Sequence, residues 1–273
     1  MYQQPPLVGA AMPIADLPEH LDWILGGQRD LELWDPSYGS VLDGHWRTLA
    51  REARSMLNGY TGRLGIHGPW NGLPLTCPDA QVQRLVAERL MQGLEFAGAV
   101  GATHMVVHSP FDFFGSPHVV HTRSTGLAEE LELAHGTLEP VLPIARQIGC
   151  TLVVEVCSDT NTRPLIELVQ SFAGETVRLS LDVGHALVMQ RAGGPPADQW
   201  VRDGGPLLAH LHLQDNDGLF DRHWAPGEGN LNWYALFEAL STLDQRPRLL
   251  LELANTRKIG AGASYLANRG FVR

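Results

Sequence analysis

Residues 206–229 read PLLAHLHLQDNDGLFDRHWAPGEG. The stretch opens as an alternating strand, with His210 and His212 on one face and Ala209, Leu211 and Leu213 on the other. It turns through Asp215-Asn216-Asp217-Gly218 and then carries a second polar cluster, Asp221-Arg222-His223. Imidazoles and carboxylates packed this densely, directly after an apolar strand, predict a metal site at the strand's C-terminal end.

The chain around this stretch alternates short β-branched or Leu-rich runs with helical patterns. Strands are predicted at 7–12, 30–34, 63–67, 104–108, 151–156, 177–182, 207–213 and 248–253. Helices are predicted over 17–25, 45–57, 80–97, 127–148 (bent near Pro140 and Pro143), 163–172 and 232–243. Further helices are expected from His185, after the Gly193-Gly194-Pro195-Pro196 loop, and in the tail. Asp79 is placed to cap the third helix. Eight such units in one chain of 273 residues predict a single-domain (β/α)8 TIM barrel over 1–273. The alternative is an open doubly wound sheet, but GAAMP after the first strand is not a phosphate-binding glycine fingerprint.

Composition narrows the function. The chain is 44% hydrophobic and 18% charged, a globular balance. No apolar run is long enough to span a bilayer, and MYQQPPLVGAAMP lacks a basic start and a signal-like core. A cytoplasmic protein without a membrane partner is therefore expected, and a homo-oligomer is compatible with the sequence. Cys77, Cys150 and Cys157 lack close pair spacing and read as free thiols. The net charge of −10 weighs against a nucleic-acid partner without excluding one, since bound divalent cations would offset part of it. Lys258, the chain's one lysine, follows the last strand, so Schiff-base chemistry on a barrel strand is not expected.

The last inward-looking residue of each strand carries the chemistry. Strands three to eight end in His67, His108, Glu155, Asp182, His212 and Glu252. His185 follows Asp182 in the turn, and Asp221 and His223 follow strand seven. These nine nitrogen and oxygen donors suit Mn²⁺, Zn²⁺, Co²⁺ or Mg²⁺ and include no thiolate; no organic cofactor is expected. Each residue alone has a plainer reading: Asp182 as a helix cap, the histidines as hydrogen-bonded loop residues. Their convergence at the end where barrel enzymes build their sites outweighs that. His210, one layer deeper, is expected to support the site, and His104, deeper still, to be structural. Trp70, Phe111 and Trp224, with Phe113, follow ligand-bearing strands and are candidates for a substrate wall. Arg222 is a candidate for an anionic substrate group, and His118 and His121 are weaker loop candidates.

The ordered set GIHGP, VVHSP, VVEV, LDVGH, HLHLQDND, DRHWAPGEG and LELAN resembles the xylose isomerase-like barrel superfamily, from about strand three to strand eight. That group joins sugar and sugar-phosphate isomerases and epimerases with endonuclease IV-type enzymes. The isomerase branch implies one divalent metal on Glu155, Asp182, His212 and Glu252. The two glutamates would form an acid/base pair around a metal-stabilised enediolate, with His185 contacting substrate oxygens. The expected substrate is a sugar, sugar phosphate or related polyol. The nuclease branch implies that all nine donors hold three zinc ions and activate a hydroxide against a phosphodiester, as at an abasic site in DNA. LDVGH and GEGNLNW resemble the isomerase branch more closely, and no basic, aromatic-interleaved surface for a duplex is evident. A lyase or a metal-binding barrel without catalysis is the remaining alternative.

Overall fold

The computed structural model describes residues 4–111, 126–172, 174 and 176–273. Strands β1 (Gly9–Met12), β2 (Leu31–Leu33), β3 (Leu64–His67), β4 (His104–His108), β5 (Thr151–Val156), β6 (Val177–Asp182), β7 (Leu208–Leu213) and β8 (Arg248–Glu252) are all parallel. They close in sequence order, with β1 hydrogen-bonded to both β2 and β8. An open sheet would leave two free edges; closure removes that alternative.

The crossovers are α1 (Leu17–Gly27), α2 (Gly39–Leu42), α3 (Trp46–Met56), α4 (Ala80–Val100), α5 (Gly126–Leu138), α6 (Leu142–Ile148), α7 (Thr162–Ser171), α8 (Val183–Met189), α9 (Ala197–Gly204), α10 (Trp233–Leu240) and α11 (Ile259–Ala267). Local chemistry sets their ends. Asp79 caps α4 by accepting from the Gln81 N–H, and Gly101 ends it in the left-handed region. Asn161 and Asn232 cap α7 and α10 in the same way as Asp79. The stretch expected to be one bent helix over 127–148 is two helices. Pro140 lies in the break between α5 and α6, and Pro143 enters α6 in its first turn, where its missing N–H costs nothing. The helix expected to start near His185 begins two residues earlier, at Val183.

Strand alternation splits the interior into two compartments. Val107, Val154, Leu181, Leu211 and Leu251 point outward and pack in the apolar layer beneath the helices. Their neighbours point into the barrel, where the register sets His108 beside Glu155 and Asp182 beside His212. Ala11 lies between Glu32 and Glu252. Barrel interiors are ordinarily filled with branched aliphatic side chains; this one is filled largely with ionisable ones. Among the described residues no helix is long and apolar enough to cross a membrane.

Candidate metal centre

At the C-terminal mouth, one ligand atom from each of Glu155, Asp182, His212 and Glu252 falls within 4.8 Å of all the others. His212 Nδ1 lies 2.5 Å from Glu155 Oε1 and 3.2 Å from Glu252 Oε2. The two oxygens of Asp182 differ in their surroundings. Its Oδ1 caps α8, accepting from the Gly184 and His185 N–H groups at 2.7 and 2.8 Å. Its Oδ2 is buried with no hydrogen-bond partner. A buried carboxylate oxygen without a donor is costly. Three buried carboxylates around one imidazole form a donor set that fits a divalent cation.

Two further groups flank the first. His67, His108 and Glu155 meet on one side. His67 Nδ1 donates to the Gly68 carbonyl at 2.9 Å, which turns its Nε2 toward His108 Nε2 at 3.3 Å and the second Glu155 oxygen at 3.9 Å. Asp182, His185 and His223 meet on the other. Asp221 bridges the two histidines there, with Oδ2 at 3.2 Å from His185 Nε2 and 2.9 Å from His223 Nε2. His223 takes a left-handed backbone conformation, φ 48°, that residues other than glycine rarely adopt. Its Nδ1 donates to the Glu252 carbonyl at 3.1 Å, which aims Nε2 at Asp221.

The charges follow from this packing. Burial opposes ionisation of Glu155, yet His212, His108 and His185 hold it well below the usual carboxylate range. Burial lifts the Glu252 carboxyl, a shift His212 and His223 only partly counter. Burial would strip the proton from His212, but Glu252, Glu155 and Glu32 push it well above the ordinary imidazole value. His185 is raised against burial by Asp182 and Asp221, and His223 is likewise pushed up to about 9, chiefly through Asp221. His108, with no such surplus of carboxylates, is driven down to about 3 by burial. Protonated imidazoles thus gather where carboxylates outnumber their counterions, which is where a cation would replace protons.

A cavity of about 480 Å³ opens above these groups. Its walls include Trp34, Tyr38, Trp70, Val188 and Met189. The Trp70 ring stacks on His108 at 4.8 Å between centroids.

A model of the xylose isomerase-like TIM barrel matches residues 29–269. The chain belongs to that family. Uncharacterised protein MJ1311 of Methanocaldococcus jannaschii is 24% identical over 206 residues, spanning 72% of this chain and 67% of that protein. Among solved structures, a D-tagatose 3-epimerase-like protein superposes with a TM-score of 0.77 at 20% identity, covering 96% of each chain. The TTHB071 protein from Thermus thermophilus, from a crystal soaked with ZnCl2, superposes at 0.70 with 29% identity, covering 97% of this chain and 99% of that one.

In this xylose isomerase-like barrel the nine candidate residues predicted from the sequence sit together at the mouth, eight of them in the groups just described and Asp221 against His185 and His223. The expected walls fare less evenly. Trp70 lines the cavity. Phe111 does not: it is 1% exposed and packed in the apolar core. Arg222 is turned away, pairing with Asp217 at 2.9 Å and lying over the Phe220 and Trp224 rings. Trp224 serves as that platform and pairs its backbone with Asp215. Phe113, His118 and His121 lie outside the described residues.

Two residues were missed. Cys157 lines the cavity, its sulfur within ligand reach of Glu155 and His185. Burial pushes its thiol up to about 12, so it carries a proton at neutral pH. Glu32, fully buried on β2, contacts His104, His210 and His212. Its signal was legible: a lone acid between Leu31 and Leu33 in a strand has no solvent-facing side available.

Proposed function

We propose that this protein is a divalent-metal-dependent isomerase or epimerase acting on a sugar or related polyol. The observation that carries the reading is the convergence of Glu155 and Glu252 on one point of the mouth, both beside His212 Nδ1, beneath an open cavity with aromatic walls. Bound to Glu155, Asp182, His212 and Glu252, a divalent cation supplies Lewis acidity toward a substrate carbonyl and its neighbouring oxygen. The chain's own groups do the rest. One glutamate removes the proton from the carbon beside the carbonyl, and the other delivers a proton to restore it. His185, anchored by Nδ1 on the Val156 carbonyl at 3.0 Å, turns Nε2 toward the cavity and binds substrate oxygens. Trp34, Tyr38 and Trp70 provide apolar faces for a sugar ring and limit access of water.

No Lys or Arg is among the described residues that line the cavity. Arg222, the basic residue expected to serve there, is committed to Asp217. An unphosphorylated substrate suits this wall better than a sugar phosphate. A polynuclear hydrolase of endonuclease IV type is the second reading, favoured by the two flanking donor groups that share Glu155 and Asp182 with the first.

The test is solvent exchange. Metal-loaded protein is incubated in D2O with a panel of free ketoses, and deuterium entry beside the carbonyl is followed by NMR. Exchange is expected, and Glu155→Gln or Glu252→Gln should each slow it by about 10²–10⁴-fold. Two or three tightly held zinc ions per chain, with phosphodiester cleavage and no C–H exchange, would overturn it in favour of the hydrolase.

A further inference from the structure

Below the mouth the inward side chains form a continuous column. Arg248 Nη1 lies 2.6 Å from His104 Nδ1. A guanidinium only donates, so His104 Nδ1 must accept, and the His104 proton sits on Nε2. That nitrogen lies 2.8 Å from Glu32 Oε2 and donates to it. The other oxygen, Glu32 Oε1, is 2.9 Å from His212 Nε2. A carboxylate only accepts, so His212 donates from Nε2 and turns Nδ1 toward Glu155, Asp182 and Glu252. Glu32 therefore accepts from both directions, from His104 below, whose tautomer Arg248 sets, and from His212 above. Thr103 Oγ1 and the Leu64 carbonyl take two more Arg248 N–H groups, at 2.6 and 3.3 Å, and fix the guanidinium.

The geometry points to Glu32 as the positioning residue that holds His212 in one orientation and one tautomer, with Nδ1 kept as the donor to a cation. Arg248 and His104 hold Glu32 in turn. The inference rests on the metal-dependent reading of the mouth, but its core statement concerns a proton on this chain, that of His212 Nε2. Glutamine at position 32 is nearly isosteric and sharpens the point. Its amide would present one oxygen and one NH2 to two N–H donors, so one of His104 and His212 would lose its acceptor. His104 cannot adapt by moving its proton, because Arg248 donates to its other nitrogen.

The experiment uses full-length protein with ¹⁵N-labelled histidine, loaded with cadmium, with Glu32→Gln and Glu32→Ala beside the wild type. In the wild type, cadmium coupling is expected on His212 Nδ1, with a slowly exchanging proton on Nε2. Both variants should bind cadmium about 10–100-fold more weakly, the range seen when a partner behind a metal ligand is removed. The His212 Nε2 proton should exchange faster in the alanine variant, and in the glutamine variant either it or the His104 Nε2 proton should. Should the alanine variant not fold, the glutamine variant and the wild-type spectrum decide the matter. Coupling to Nε2 in the wild type would overturn the inference, as would variants that keep both affinity and coupling pattern. If the wild type takes up no cadmium, the metal reading has failed. The metal-free spectrum then tests Glu32 alone: a protected Nε2 proton upholds its hold on His212, and an unprotonated Nε2 refutes it.

Discussion

Asp182 shows how one side chain answers to two readings. From sequence it is a helix cap or a metal ligand; in the structure Oδ1 caps the helix and Oδ2 is left without a hydrogen-bond partner. This makes the roles separable. Asparagine caps helices as well as aspartate does, so Asp182→Asn should leave the metal-free protein as stable as the wild type, or more so, because a buried oxygen without a donor loses its charge. The variant should nonetheless gain little thermal protection from Zn²⁺ or Mn²⁺ under conditions that clearly protect the wild type. Melting curves with and without metal check both halves, and an equal rise in both proteins would remove Asp182 from the ligand set. Six of the nine mouth residues, His67, His108, Glu155, Asp182, His212 and Glu252, were legible because strand alternation and barrel topology together dictate where a strand's last inward residue must go, whereas His185, Asp221 and His223 were expected there because they follow those strands closely. Arg222 and Phe111 were not legible, because neither rule says whether a loop side chain turns into the cavity or into the protein.

At the level of elements, β3 carries a requirement that its own sequence does not explain. A Cβ placed on Gly65 would lie 1.8 Å from the His104 ring. The strand gives up a side chain so that an imidazole from β4 can pass over it and reach Glu32 on β2. Gly65→Ala should therefore destabilise the protein by at least the ~1–3 kcal/mol typical of overpacking, because His104 has no other place to go without breaking its bonds to Arg248 and Glu32. Urea unfolding measures this, and a change within about 0.5 kcal/mol, the size of an ordinary surface substitution, would show that the ring relocates freely. The same contact explains why the sequence did not pair His104 with Glu32. His104 was expected to be structural, but its partner Glu32 lies on β2, outside the six strand ends that made the pattern visible. A two-residue period gives the face of each residue on a strand but not which strands supply the partners. The split of the 127–148 helix is a related case, since prolines mark a disruption without deciding between a bend and a break.

Two expectations belong to the whole molecule. His212, His185 and His223 hold protons that a bound cation would displace. Metal binding at pH 7 should therefore release protons, and titration calorimetry in buffers of different ionisation enthalpy should give different apparent heats. Identical heats in every buffer would mean that the site is already deprotonated. The second expectation concerns Asp159, which accepts from Ser109 Oγ at 2.7 Å and from the Cys157 N–H at 2.9 Å. Burial outweighs both bonds and lifts its carboxyl to about 6. A carboxyl raised on folding favours the native state while protonated. That contribution is complete below the unfolded value of about 4 and is lost as pH rises to about 6. Chelator-treated Asp159→Asn should thus be more stable than the wild type at pH 7, by up to ~3 kcal/mol, with the gap closing toward pH 4. A gap that widens on acidification would reverse the assignment.

The column from Arg248 to His212 also bears on how such a barrel can diverge. Each member supplies the acceptor or donor that another needs, so a single replacement strands a neighbour inside the barrel. Substitutions there are viable only in concert, and the interior becomes a slowly changing frame. Trp34, Tyr38 and Trp70 stand on segments beyond the strand ends and hold up none of that frame. Those positions are open to stepwise change of a kind that the column beneath them does not allow.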